Sequence, residues 1–179
     1  MNLTLDQKIQ IWSAVGIWVA GIATFAAVVV SLYLARRGEK LRLKVHAGLR
    51  DVVVGDGTPI DKRLSIGVTN LGDRPVTITS VGWAVGKRKN QRFCVQPVSA
   101  PLTSDCPIEL SHGKSANFMV SFQTMPSWPK DFAHGFVRDV SDKNLKTLVA
   151  RICTSVGQTI KARPEKGLLD RLKEAHGDG

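Results

Sequence analysis

The residues of this 179-residue chain that could do chemistry are few and far apart. Its histidines, His46, His112, His134 and His176, stand in four different segments, and its cysteines, Cys94, Cys106 and Cys153, are spaced widely from them and from one another. A zinc-type centre draws its thiolates and imidazoles from closely spaced pairs, and no such pair is present. Gly55-Asp56-Gly57 lacks the lysine and the following helix that a phosphate-cradling loop needs, and no serine occupies a Gly-x-Ser-x-Gly elbow. Asp51, Asp56 and Asp61 alternate loosely with Gly and Pro and read as a surface loop rather than a calcium site. The expectation is a protein that is not an enzyme and that holds no cofactor and no metal.

The strongest signal is an absence of charge. From Ile9 to Ala35 there is no Asp, Glu, Lys, Arg or His. Crossing a hydrocarbon core about 30 Å thick takes roughly 20 apolar residues at about 1.5 Å of rise per residue, so residues 9–35 are long enough for a transmembrane helix. A secretory signal has a basic start, a shorter apolar stretch and a small-x-small cleavage site, none of which is found here. Trp12 and Tyr33 would sit about 31 Å apart on a helix, one at each interface, where an apolar ring and a polar tip are both satisfied. Thr4-Leu5-Asp6-Gln7 fits a capping box that would start the helix, with Asp6 complementing the positive end of its dipole.

Orientation follows from the flanks. Arg36, Arg37, Lys40, Arg42 and Lys44 lie behind the span and only Lys8 in front of it, and an excess of Lys and Arg marks the cytoplasmic side. Residues 1–8 are therefore expected to be a short extracytoplasmic N-terminus, residues 36–44 a basic segment running into the first strand, and the remainder a cytoplasmic domain of an inner (cell) membrane protein. With the opposite orientation, Cys94 and Cys106 would be the natural disulfide candidates. Along the span, Ser13, Gly16, Ala20, Ala23 and Ala27 line one stripe, and small residues let helix backbones approach in lipid. The stripe predicts a homo-oligomer formed through the membrane helix, while Thr24 and Ser31 are its only modest polar features.

Beyond Gly38 the period changes from helical to alternating. Strands are expected at residues 41–45, 64–68, 76–83, 92–96, 116–122, 135–140 and 145–152, with 64–68 and 76–83 as antiparallel neighbours across the Asn70–Pro75 turn. Ser141-Asp-Lys-Asn144 reads as the turn of a hairpin spanning Phe136–Ile152. About seven short strands at this spacing predict a mainly β fold, an antiparallel β-sandwich over residues 41–162, with Trp83 and Phe118 in its core. Residues 163–179 read as a short amphipathic helix begun by Pro164, apolar at Leu168, Leu169, Leu172 and Ala175, and expected to pack on its own domain rather than on the membrane or a partner.

The net charge of +10 invites a nucleic-acid reading. No helix-turn-helix, zinc-finger spacing or aromatic-studded strand accompanies it, so nucleic acid is not the expected ligand. Lys87-Arg88-Lys89 with Arg92 reads as a basic hairpin tip, and Arg138, Lys143, Lys146, Arg151, Lys161, Arg163 and Lys166 as scattered charges.

The basic exit from the span, the strand ending at Val68-Thr69-Asn70, the turn Leu71-Gly-Asp-Arg-Pro75 and the strand Val76–Trp83 together resemble a broad group of uncharacterised bacterial single-pass membrane proteins with a C-terminal immunoglobulin-like or fibronectin-like sandwich. The resemblance implies an architecture and carries no catalytic residue, cofactor or partner with it. The function expected is a membrane-anchored binding or scaffold module at the cytoplasmic face that meets the lipid bilayer and recruits a protein partner. The alternative is an oligomeric membrane effector or sensor whose soluble domain gates or perturbs the helices.

Overall fold

The computed structural model describes residues 4–37, 41–53, 55, 57, 59–87, 90–98, 103–138 and 142–177. The chain divides into two compact units between Lys40 and Leu41. The first is one helix, α1 (Leu5–Arg37), 33 residues long and so about 50 Å. Its start follows the sequence signal: the Thr4 backbone N–H donates to the Gln7 side-chain carbonyl at 3.1 Å, one arm of the capping box. The described side chains from Thr4 to Leu34 are all exposed, Trp18 at 74% and Phe25 at 71% among them. Lys40 lies outside the described residues, as do the side chains of Arg36 and Arg37.

The second unit is a pair of antiparallel sheets followed by a helix. β1 (Leu43–Val53), β2 (Pro59–Asn70) and β6 (Ser115–Ser121) form one sheet with β2 in the middle. β3 (Val76–Val85) centres the other. On one edge of β3 lie β4 (Arg92–Val95) and β5 (Ile108–Leu110), and on the opposite edge β7 (Val149–Thr154), which carries β8 (Thr159–Ala162). Alternation sends Leu64, Ile66 and Val68 of β2, Ala116, Phe118 and Val120 of β6, and Ala150 and Ile152 of β7 into one shared core. In β3 the inward set shifts from Ile78 to Val81 and Trp83, because a register irregularity between Ile78 and Ser80 changes which face each later residue meets. Trp83 and Phe118 are buried there, as their sequence context implies.

Two expectations are overturned. β2 and β3 are not neighbours: both edges of β2 are taken, by β1 and by β6, so the chain leaves one sheet for the other. Asn70 turns it there, its side-chain amide donating to the carbonyls of Arg74 and Leu110 while its oxygen accepts the Gly72 N–H. Nor is there a hairpin over Phe136–Ile152. Trp128–Asp131 forms a helical turn, α2, that continues into a π-helical segment, Phe132–Val137, closed by Arg138 N–H on Ala133 C=O at 2.8 Å. A further turn, α3 (Asp142–Leu145), precedes β7. The two-residue alternation near Gly135 is outweighed by the apolar set Trp128, Phe132, Ala133, Phe136 and Val137, which falls on one face of a helix. The rings of Trp128 and Phe132 stack at 4.7 Å, and Phe132 meets Trp83 edge-on at 5.4 Å, so this segment closes the core. Residues 139–141 of the expected strand and turn lie outside the described residues.

The C-terminal helix, α4 (Lys166–Gly177), buries Leu168, Leu172 and Ala175 on its own domain, with Leu169 packed at the edge. It starts two residues later than Pro164, with the Glu165 carbonyl accepting the Leu168 N–H. The lead-in is tied down twice: Glu165 N–H donates to Ala47 C=O, and Arg50 forks onto both Glu165 carboxylate oxygens at 2.7 Å.

Candidate functional site

Two surfaces stand out. The first is the flank of α1. Trp12 and Tyr33 are exposed at 75% and 62%, near the two ends of an uncharged, mainly apolar cylinder. Ser13, Gly16, Ala20, Ala23 and Ala27 are exposed on it as a stripe. The Thr24 hydroxyl donates to the Ala20 carbonyl of its own helix at 2.9 Å, which satisfies its hydrogen without a second chain. Among the described residues, one helix is long and apolar enough to cross a membrane.

The second surface was not apparent from the sequence. A cleft of about 1030 Å³ opens at one end of the five-stranded sheet, lined by Gly86, Lys87, Asn90, Gln91, Arg92, Arg138, Asn144, Lys146, Thr147 and Arg163. Five of these carry positive charge and none is acidic. The pairing brings them together: β3 ends, β4 begins, β7 begins and β8 ends at the same end of the sheet, so Lys87, Arg92, Lys146 and Arg163 share it. Arg138 joins them from the end of the π-helical segment. The "scattered" charges Arg138, Lys146 and Arg163 and the hairpin pair Lys87 and Arg92 are one cluster. The missing signal was strand order, which the misread hairpin over Phe136–Ile152 concealed. The side chain of Lys143 and all of Arg88 and Lys89 lie outside the described residues.

The walls of the cleft are cross-tied. The Gly86 N–H donates to the Thr147 hydroxyl at 2.9 Å, and that hydroxyl donates to the Asn144 carbonyl at 2.7 Å, joining the β3–β4 turn to the segment before β7. Gly86 has φ +94°, and a Cβ there would come within 2.5 Å of the Asn90 carbonyl oxygen, so the turn requires glycine. Arg92 donates to Val137 C=O at 2.9 Å, linking β4 to the π-helical segment. Arg138 stands at φ 62° and ψ −60°, a strained γ-turn conformation for a side-chain-bearing residue. Among the described residues none of the five cations is held in an ion pair.

Elsewhere the chemistry is quiet. Burial pushes the Cys94 thiol up to about 11, against the smaller pull of a hydrogen bond from the Trp83 backbone. Partial burial and the neighbouring Asp105 also raise Cys106, so neither sulfur is an activated thiolate near neutral pH. His134 and His176 are brought together, their rings stacked at 4.6 Å. Among the described residues no three His, Cys, Asp or Glu side chains converge in a metal-binding set.

No family model matches the chain, and no curated protein matches it. Among solved structures, the "X-ray structure of Northeast Structural Genomics Consortium target SoR45" is similar at 10% sequence identity over 68% of this chain and 80% of that one, with a TM-score of 0.28. A likeness of that size carries no argument about this chain.

Proposed function

We propose that this protein is a single-pass membrane protein whose helix α1 holds a β-sandwich binding module at the cytoplasmic face of the cell membrane. The observation that carries the reading is the uncovered apolar surface of α1: leaving it in water costs about 25 cal/mol for each Å² of apolar area, and a bilayer removes that cost. The aromatic residues Trp12 and Tyr33 at the ends of the cylinder support the same placement, as does the Lys and Arg excess after it. Two antiparallel sheets over one core are compatible with kinship to immunoglobulin-like sandwiches. We favour a binding module over a membrane-perturbing effector because Thr24, the polar group in mid-span, bonds within its own helix.

The native Cys106, exposed on the domain, provides the test of orientation. A membrane-impermeant thiol reagent is expected to leave it unlabelled in intact cells and to label it after lysis. Labelling of Cys106 in intact cells would place the module outside and overturn this topology. Crosslinking at native expression addresses the stripe: dimers lost on Gly16→Leu are the expected outcome of self-association through Ser13, Gly16, Ala20, Ala23 and Ala27, and monomers alone would contradict it.

A further inference from the structure

Among the described residues, five cations converge on the cleft with no carboxylate in its lining, and like charges held that close repel one another. We propose that the cleft formed by Lys87, Arg92, Arg138, Lys146 and Arg163 is a binding site for a compact anion bearing two or more phosphate groups. This goes beyond anchoring and does not depend on where α1 lies.

Charge balance selects the ligand chemistry. A phosphate carries roughly −1.5 to −2 at neutral pH, so two or three of them match five cations, whereas as many carboxylates would be needed as there are positive charges. Arginine forks and lysine point charges are the side chains that take phosphate oxygens, in bidentate and monodentate fashion respectively. The uncharged lining is suited to the same oxygens: Asn90, Gln91 and Asn144 bring side-chain amide N–H groups. The cleft, at about 1030 Å³, is slightly larger than the roughly 300–1000 Å³ of ordinary small-molecule sites, so a small polyphosphorylated ligand has room to enter it. Single-stranded nucleic acid would call for an extended groove with aromatic stacking surfaces, and no aromatic residue is among the described lining residues. The backbone that carries these side chains is cross-tied, and the Arg92 guanidinium is anchored, while Lys87, Arg138, Lys146 and Arg163 are exposed at the cleft. The Gly86–Thr147–Asn144 chain and the Arg92–Val137 bond fix its walls, and the backbone strain at Arg138 is held on its rim.

The chemistry could be supplied by a soluble polyphosphorylated metabolite or by a polyphosphorylated lipid headgroup, and one experiment addresses both. Full-length protein in phosphatidylcholine nanodiscs is titrated calorimetrically with inorganic tripolyphosphate. Saturable one-to-one binding is expected, weakened about tenfold or more by Arg138→Gln and by Lys146→Gln, in keeping with the worth of a charge-assisted hydrogen bond. Lys114→Gln removes the same charge from the β5–β6 turn and is expected to change affinity less than about twofold. Lys146 is exposed, so its variant tests the site without threatening the fold, which an unchanged circular-dichroism melt confirms. Nanodiscs doped with phosphatidylinositol bisphosphate separate the sources. Loss of tripolyphosphate binding there, but not in nanodiscs carrying the same charge as phosphatidylserine, assigns the cleft to a headgroup, and retained binding assigns it to a soluble anion. No binding at millimolar tripolyphosphate, an equal loss in the Lys114 variant, or tighter binding of a single-stranded DNA oligomer would overturn the proposal.

Discussion

The helix α1 and the β-domain solve the same problem in opposite ways. In the domain, apolar side chains from two sheets, the α2 turn with its π-helical continuation, and α4 cover one another, and Trp83, Phe118, Leu64 and Leu168 are shut off from solvent. In α1 an equally apolar set, Ile17, Trp18, Ile22 and Phe25, is covered by nothing in its own unit. The domain carries its stabilising partners within its own sequence, while the proposed role of α1 requires an apolar phase from outside. The two units should therefore fail independently, and substitutions can be chosen to break one and spare the other.

The largest effect is expected from Trp83→Ala. It removes a fully buried indole, its edge contact with Phe132 and its hydrogen bond to Gln96 at 2.8 Å, and should destabilise the domain by about 4 kcal/mol. Denaturant unfolding followed by tryptophan fluorescence and amide exchange would read the loss, while the variant should stay in the membrane fraction. Ile22→Lys inverts this result. A lysine at mid-span costs about 3 kcal/mol of insertion, so the protein should shift toward the soluble or degraded pool while the domain keeps its unfolding midpoint. If Trp83→Ala released the protein from membranes as well, the independence of the two units would be refuted.

Smaller effects sharpen the picture within the domain. Burial raises the Asp61 carboxyl, but the bond from Arg63, the Ser121 hydroxyl and the guanidinium charge together hold it below its usual range. A depressed carboxylate stabilises above its ordinary titration range and loses that contribution as pH falls through its folded value. Asp61→Asn should accordingly cost about 2 kcal/mol at neutral pH and progressively less in acid. An exposed counterpart is Glu165, just before α4, held low chiefly by the Arg50 hydrogen bonds, with partial burial opposing and the Arg50 and His46 charges assisting. Both partners are nearly half exposed, so Glu165→Gln should cost no more than about 0.5 kcal/mol. That loss should likewise vanish on acidification, and high salt should diminish it. Urea titrations at pH 7 and pH 3 would measure both differences.

How much of this could be read from the residues depends on the range of the interactions that decide it. The apolar helix, its Thr4–Gln7 start and the strands at 64–68, 76–83 and 116–122 rest on local pattern and were legible, although the two-residue period of 76–83 breaks between Ile78 and Val81. Strand pairing was not, because whether β2 adjoins β3 is decided by β1 and β6 competing for the edges of β2. The Gly135–Val140 alternation misled for a related reason: it takes Trp83 and Phe132 in contact to show that the segment is a helical cover for the core. The cationic cleft shares that dependence, since Lys87, Arg138 and Arg163 are neighbours only once the strand order is known. The short strands β5 and β8, with three and four residues, are too brief for periodicity to register.

The most direct test of the central proposal is the fate of the full-length chain when membranes from lysed cells are washed at alkaline pH and spun at high speed. The expected result is that the protein stays in the pellet and is released only by detergent. Recovery of intact, folded protein in the supernatant without detergent would contradict it.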